Sequence, residues 1–382
     1  MNLSDKLNEV KSQGLYRIMR TAKTAAGAKI IIDGKKFINF SSNNYLDLAF
    51  NEEVNAYVSE MLKVYGTGSA ASRLISGNIE IIEQLESSLA TFKNKEAALL
   101  YPSGYQANVG VISALCGMGD AIIMDKLNHA SLWDGAKLSG ARIFVYEHTD
   151  MNSFEKVLKR ASKYKTKLAV TDSLFSMDGD IAPLQDFTQL CQTHGALSLV
   201  DEAHATGVFG ERGAGLCQQF GVSDKVDIIT ATLSKALGAQ GGFVCASKQV
   251  KEYLVNKSRS FIYSTAISPM LAASAIKTLE ICQKDVLRRA KLLETSTYLT
   301  QKLQAVGLLG NRTVTPIIPI ITGDVVSTDS LAAELYHHGI YAPAIRPPTV
   351  ENGKCRLRLS LTSAHTKENI DNLVDILTRG LL

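Results

Sequence analysis

Proline is scarce in this sequence, 8 of 382 residues, and tryptophan occurs once, while 46% of the residues are hydrophobic. A disordered or proline-stiffened chain is thereby excluded. Charge of neither sign dominates: 41 Lys and Arg stand against 37 Asp and Glu, a net +4. With no Lys/Arg block in addition, a nucleic-acid partner is not expected. No run of 18 uncharged apolar residues occurs, so no helical membrane span is expected. The six cysteines (Cys116, Cys191, Cys217, Cys245, Cys282 and Cys355) contain no Cys-x-x-Cys pair. Neither a zinc knot nor a secreted disulfide framework is indicated, and the cysteines read as small buried residues in a reducing compartment. The opening stretch MNLSDKLNEVKSQGLYRIMR carries acids and lacks the apolar core of a secretory leader. The expectation is a soluble cytoplasmic protein.

What is present is a rhythm. A chain of this length can remove about three quarters of its unfolded surface from water, so it needs no disulfide or metal staple. Apolar runs recur at AALLY (97–101), AIIMD (120–125), RIFVYE (142–147), KLAVTD (167–172), LSLVD (197–201), DIITAT (227–232) and GFVCAS (242–247). Such nearly continuous runs suit strands buried on both faces. Helical stretches such as NVGVISALCG and LQDFTQLCQTH fall between them. The fold class is therefore α/β, a doubly wound and mostly parallel sheet. Before it stand a starting helix and a hairpin, KIIIDGKKFINF, with Asp33-Gly34 as the turn. After it, helices near 284–305, 328–338 and 366–381 flank PIIPII, IYAPAI and CRLRLSL, the texture of a smaller α+β domain. The expected division is 1–45 for the N-terminal segment, 46–275 for the large domain and 276–382 for the small one.

Ligands of open parallel sheets bind beyond the carboxyl ends of the strands. AALLY leads into Pro102-Ser103-Gly104-Tyr105, which opens a helix whose free N–H groups can hold an anion. AIIMD leads to His129, a group able to stack on a planar ligand or relay protons. LSLVD ends in Asp201 and DIITAT is followed by Lys235. Both are costly to desolvate without a partner. Burial favours the neutral amine of Lys235, the form that condenses with an aldehyde. Lowering its pKa by about three units costs roughly 4 kcal/mol. An anion cradle, a carboxylate, an amine and an imidazole on successive loops meet the needs of pyridoxal 5'-phosphate. Gly66-Thr67-Gly68-Ser69-Ala70-Ala71 fits a dinucleotide fingerprint, but a helix-like segment precedes it where a strand is required. No phosphate-binding G-x-x-x-x-G-K-[ST] loop, H-E-x-x-H pair or G-x-S-x-G elbow occurs, so no metal site or serine nucleophile is indicated.

Further motifs stand in order along the chain: Phe40-Ser41-Ser42-Asn43-Asn44-Tyr45-Leu46, Gly66-Thr67-Gly68-Ser69 with Ser72-Arg73, Asn128-His129-Ala130-Ser131, Phe175-Ser176-Met177-Asp178-Gly179-Asp180, Asp201-Glu202-Ala203-His204, Thr232-Leu233-Ser234-Lys235, Tyr263-Ser264-Thr265 and Arg356-Leu357-Arg358-Leu359. With these the chain resembles the α-oxoamine synthases over essentially its whole length. They are pyridoxal-phosphate enzymes of fold type I that condense an amino acid with an acyl thioester and release CO2. The resemblance implies that Lys235 carries the cofactor and abstracts the α-proton, and that Asp201 holds the ring nitrogen. It stacks His129 on the ring, where it is also a candidate for polarising the thioester oxygen, and sets Ser176 and His204 near the phenolic oxygen. It gives the phosphate to Gly104, Tyr105 and Thr232. Ser264 and Thr265 would reach the phosphate of a second subunit, since family sites form across a homodimer. Arg358 would take the amino-acid carboxylate, with Asn43 nearby.

AIRPPTV (344–350) resembles the branch that joins L-alanine to a pimeloyl thioester, on CoA or a carrier protein, in biotin synthesis. By that likeness Arg17 and Thr349 become acyl-substrate residues. There are departures. Asp47 stands where the family usually has glycine, Asn44 where aspartate is common, and Ala70-Ala71 in a glycine-rich stretch. Thr-Leu-Ser-Lys-Ala-Leu-Gly is also shared with relatives that use glycine. The alternatives are another synthase on the same chemistry (glycine C-acetyltransferase, 5-aminolevulinate synthase or a long-chain amino-ketone signal synthase) or a pyridoxal-phosphate-binding protein without catalysis.

Overall fold

The computed structural model describes residues 2–24 and 27–381. Internal contacts divide the chain into two compact units. One comprises Met1–Ala49, Met177–Gly179 and Ala290–Leu382, and the other Phe50–Ser176 and Asp180–Arg289.

In the first unit, β1 (Lys29–Ile32) and β2 (Lys35–Asn39) form the antiparallel hairpin that turns at Asp33-Gly34. The second unit holds β3 (Ala97–Tyr101), β4 (Ala121–Asp125), β5 (Arg142–Tyr146), β6 (Lys167–Asp172), β7 (Leu197–Asp201), β8 (Ile228–Thr232) and β9 (Gly242–Ala246). The first unit resumes with β10 (Ile317–Gly323), β11 (Ile340–Tyr341), β12 (Ala344–Ile345) and β13 (Cys355–Ser360). Here β11 adds in parallel to β2, and β13 lies between β10 and β12 with antiparallel pairing on both sides. The small α+β sheet expected from PIIPII and CRLRLSL is thus β10 with β13.

The seven strands of the second unit form one sheet in the order β3-β9-β8-β7-β6-β4-β5. The five neighbours from β8 to β5 are parallel, and β9 runs antiparallel to both β8 and β3. The mostly parallel seven-stranded sheet expected from the sequence is therefore present. Every residue of β3, β4, β8 and β9 is buried, while the edge strand β5 is largely not. Leu99, Met124, Val170, Leu199 and Val244 share one core with Ala107 and Val111 of helix Gly104–Leu115. This is why the strands read as unbroken apolar runs.

The sheet direction gathers chemistry at one end. Asp125, Asp172, Asp201 and Thr232 terminate parallel strands. Because β9 is reversed, its first residue Gly242 pairs with both Thr232 and Tyr101 at that same end. A side chain on Gly242 would fall 2.4 Å from the Gly104 nitrogen, so only hydrogen fits between the two backbones.

Behind the strand ends lies a buried ion pair. Lys93 closes helix Glu80–Lys93, and its Nζ is 2.7 Å from Glu202 Oε2 and 2.7 Å from Thr206 Oγ1. Glu202 Oε1 accepts the Cys217 N–H at 2.8 Å. Removing one charge leaves the other buried and unpaired. Lys93→Met is expected to cost about 3–5 kcal/mol of stability, and Lys93→Met with Glu202→Leu distinctly less. Urea unfolding of the wild type and both variants measures the difference, and equal loss in the two would contradict it.

Candidate active site

A cavity of about 220 Å³ opens at the carboxyl end of the seven-stranded sheet. Its lining includes Gly104, Tyr105, His129, Asp201, His204, Thr232 and Lys235, so seven residues singled out in the sequence meet in one place. Asn108, Ser131 and Asp172 line it too.

The floor is built around Asp201, a buried carboxylate. Its Oδ1 accepts the Ala203 N–H at 2.7 Å and its Oδ2 accepts Asn108 Nδ2 at 2.7 Å. Asn108 Nδ2 also donates to Ser131 Oγ at 2.9 Å, whereas its Oδ1 is buried with no partner among the described residues. Ser131 Oγ lies 2.8 Å from His129 Nδ1, which accepts the Ser131 N–H at 3.3 Å. An accepting Nδ1 places the neutral ring's proton on Nε2. Burial lowers the His129 pKa, so the imidazole is uncharged near neutral pH.

Asp172 pairs in register with Asp201 across β6 and β7, and its Oδ2 accepts the His129 N–H at 2.9 Å. Burial, then the charge of Asp201, raises the Asp172 carboxyl well above its ordinary range. Two adjacent buried carboxyls do not both ionise, and Asp172 is the one that keeps its proton. Lys235 follows β8 and places Nζ 2.8 Å from His204 Nε2. Thr232 Oγ1 donates to the Gly241 carbonyl at 2.8 Å and lies 2.7 Å from Ser234 Oγ.

The anion cradle is the start of helix Gly104–Leu115. Ser103 caps it by accepting the Gln106 N–H, and no acceptor among the described residues meets the N–H of Gly104 or Tyr105. A Cβ on Gly104 would stand 3.3 Å from Thr232 Cβ, so glycine is what keeps the Thr232 hydroxyl beside those N–H groups. The donor set fits pyridoxal phosphate: N–H groups and a hydroxyl for a phosphate, a carboxylate opposite, an amine, and a flat neutral ring.

Other expected residues lie elsewhere. Ser176 lies within the loop that follows β6 and is not among the lining residues. Ser264 and Thr265 line a separate crevice with Arg73 and Pro102, where Thr265 bridges to Ser72. Arg17, Asn43, Thr349 and Arg358 belong to the other unit. There Arg358 is buried on β13 and donates to Asn43 Oδ1 at 3.1 Å and to Ser360 Oγ at 2.5 Å. Arg17 Nη2 is 3.4 Å from Thr349 Oγ1.

Sequence reasoning missed Asp172. The signal was available: Asp172 closes a buried strand just as Asp201 does. The Ser, Asp and Gly that follow it read instead as loop formers.

Among curated proteins, an 8-amino-7-oxononanoate synthase of Lysinibacillus sphaericus is 45% identical over 368 residues, 96% of this chain and 95% of that one. A protein of the same name from Symbiobacterium thermophilum is 43% identical over 370 residues, 97% of this chain and 94% of that one. Among solved structures, a serine palmitoyltransferase variant from S. paucimobilis with a bound PLP–myriocin aldimine superposes with a TM-score of 0.93 at 28% identity, covering 99% of this chain and 96% of that one. An 8-amino-7-oxononanoate synthase from Francisella tularensis superposes with a TM-score of 0.79 at 29% identity, covering 90% and 97%. The profile of the family described as Aminotransferase class I and II matches residues 35–377. With a profile match and relatives of this extent, the chain belongs to the aminotransferase class I and II family.

Proposed function

We propose that this protein condenses L-alanine with a pimeloyl thioester, releasing CO2 and the thiol carrier, to give 8-amino-7-oxononanoate for biotin synthesis. The observation that carries the reading is the joint placement of Asp201, Lys235, His129 and the Gly104 cradle around one cavity, in a chain whose near-full-length relatives bear that name. The overlay on serine palmitoyltransferase is closer in shape, but its 28% identity against 45% favours the alanine-using reading.

Pyridoxal 5'-phosphate is the cofactor, and when bound it supplies an electron sink for charge at the amino-acid α-carbon. This chain supplies the rest. Asp201 holds a proton at the ring nitrogen, and its two hydrogen bonds fix the carboxylate that does so. The N–H groups of Gly104 and Tyr105 and the Thr232 hydroxyl receive the phosphate. Lys235 provides the amine of attachment and moves the α-proton, and His204 Nε2 orients that amine. His129 would stack on the cofactor ring and would offer Nε2–H to the thioester oxygen as charge develops there. Arg358, held by Asn43, Tyr45 and Ser360, presents a guanidinium fork for the substrate carboxylate. Ser176 would serve the phenolic oxygen, and Arg17 with Thr349 the acyl chain.

We also infer a homodimer. Ser264 and Thr265 lie outside this chain's own cavity, which suits service to a second subunit's phosphate. No helix among the described residues is long and apolar enough to cross a membrane. All six cysteines are buried and unbonded, in keeping with a reducing cytoplasm.

Three measurements test the reading. Mass spectrometry of products from alanine, glycine or serine with a panel of acyl thioesters should give 8-amino-7-oxononanoate from alanine and the pimeloyl donor fastest. A preference for glycine or serine would overturn the substrate assignment. Borohydride reduction of the holoenzyme should fix a pyridoxyl mass on the peptide containing Lys235. Lys235→Ala should show no such adduct and lose roughly 10²–10⁴-fold or more in kcat; unchanged turnover would refute its role. Gly242→Ala, which drives a methyl into the Gly104 nitrogen, should weaken cofactor binding at least about tenfold in a spectral titration. Wild-type affinity would show that the cradle is elsewhere.

A further inference from the structure

The turn after β5 carries a histidine that the chemistry above does not use. His148 Nδ1 lies 2.9 Å from Asp125 Oδ1, and its Nε2 lies 2.6 Å from Asp180 Oδ2. A neutral imidazole has one N–H, so with a carboxylate on each side it would turn a lone pair on one of them. The doubly protonated ring serves both. Burial opposes that charge, but the hydrogen bonds to Asp125 and Asp180 outweigh burial and push the group from its ordinary 6.5 up to about 10. At neutral pH the imidazolium is therefore a standing cation.

The two carboxylates hold different things. Asp125 is buried at the end of β4, where its Oδ1 accepts the Leu127 N–H at 2.8 Å and its Oδ2 the Thr149 N–H at 2.9 Å. It is an anchor. Asp180 belongs to the turn that carries Ser176. Its carbonyl accepts the Phe175 N–H at 3.0 Å, and Leu174 bridges to Ile181 beside it. At the root of the turn, Ser173 donates its N–H to the Asp201 carbonyl at 2.8 Å. Asp180 Oδ1 is buried with no partner among the described residues, so the hold on this carboxylate comes through Oδ2.

The His148 ring also meets Phe175 edge to face, with centroids 4.4 Å apart and planes at 88°. One imidazolium thus touches the residue before Ser176 and the residue that closes the turn. The charges adjacent to it, Lys126 and Glu147, pair with each other at 3.0 Å, and Arg356 separately holds Asp178. Ser176 needs such a hold. It does not line the cavity, and a hydroxyl that serves a bound ring from beyond the lining must be kept at one distance.

We propose that His148 is a positioning residue: clasped between Asp125 and Asp180, it braces the 175–180 turn against the end of β4 and so sets Ser176 for the phenolic oxygen of the cofactor. The proposal rests on the role given to Ser176 above, and it is independent of which amino acid and thioester react.

The cofactor's absorbance, titrated with pH in the substrate-free holoenzyme, tests it. The wild type is compared with Ser176→Ala, His148→Gln, Asp180→Ala and the double variant Ser176→Ala with His148→Gln. Losing the serine's hydrogen bond should move the spectral midpoint by about half a unit or more. His148→Gln and Asp180→Ala should each move it in the same direction, and His148→Gln should add nothing once Ser176 is gone. Asp180→Ala releases the turn with the His148–Asp125 contact intact, so the comparison survives a failure of His148→Gln to fold. A midpoint moved by Ser176→Ala alone would overturn the brace and leave the serine's role standing. One moved by none of the variants would overturn both. Additive shifts in the double variant would also overturn the brace, since His148 would then act by another route. Urea unfolding of the same holoenzymes gives a second readout. The wild type's advantage over His148→Gln should be largest below about pH 6.5 and fade as pH rises toward about 10. An advantage that does not change with pH would overturn the charged clasp.

Discussion

Two carboxyl groups face each other across neighbouring buried strands, and the candidate active site is organised by how that repulsion is settled. Asp172 and Asp201 are register partners at the ends of β6 and β7. Both are removed from water, so ionising both would be prohibitive. Asp201 accepts a backbone N–H and an amide N–H. Asp172 is left the proton.

The consequences spread along hydrogen bonds. Asn108, which fixes Asp201, also binds Ser131, and Ser131 sets the tautomer of His129. Asp172 in turn holds the His129 backbone N–H. One closed circuit therefore ties β6, β7, helix Gly104–Leu115 and the loop before helix Ala130–Ser139 together. Burial keeps the imidazole neutral, and the same hydrogen bonds hold its ring in place. A site for charge development needs polar groups that are already oriented, and this circuit orients them.

Much of this was legible in the sequence because burial writes itself into strands. AALLY, LSLVD and GFVCAS are continuous apolar runs since both faces of the sheet are covered, and their ends mark where polar groups must be accounted for. Lys235, Asp201 and His129 stood out by that argument. Strand order and direction did not: nothing in GFVCAS announces that β9 runs backwards between β3 and β8, yet that reversal brings Gly242 against Gly104. Helix Glu80–Lys93 also escaped, and its first turn has no side-chain cap at Ile79 to announce it. Asp172 was hidden by its loop-forming neighbours. Pairing between distant segments is a property of the folded sheet, and a linear reading has no access to it.

The Asp-Glu-Ala-His run shows how one short motif divides its labour. Asp201 turns to the cavity, and Ala203 returns its N–H to that carboxylate. Glu202 faces the other way, into the pair with Lys93, and takes the Cys217 N–H as well. Its carboxylate also fills the space beside Gly215, where a Cβ would stand 2.4 Å from Oε1. His204 reaches back to Lys235. Consecutive residues of an extended chain point to opposite faces, so a functional acid and an anchoring acid can stand side by side without sharing a site. A buried ion pair is weak as a source of stability, but it is strongly directional. Its use here is to pin the strand end, so that Asp201 and His204 meet the cavity from a fixed backbone.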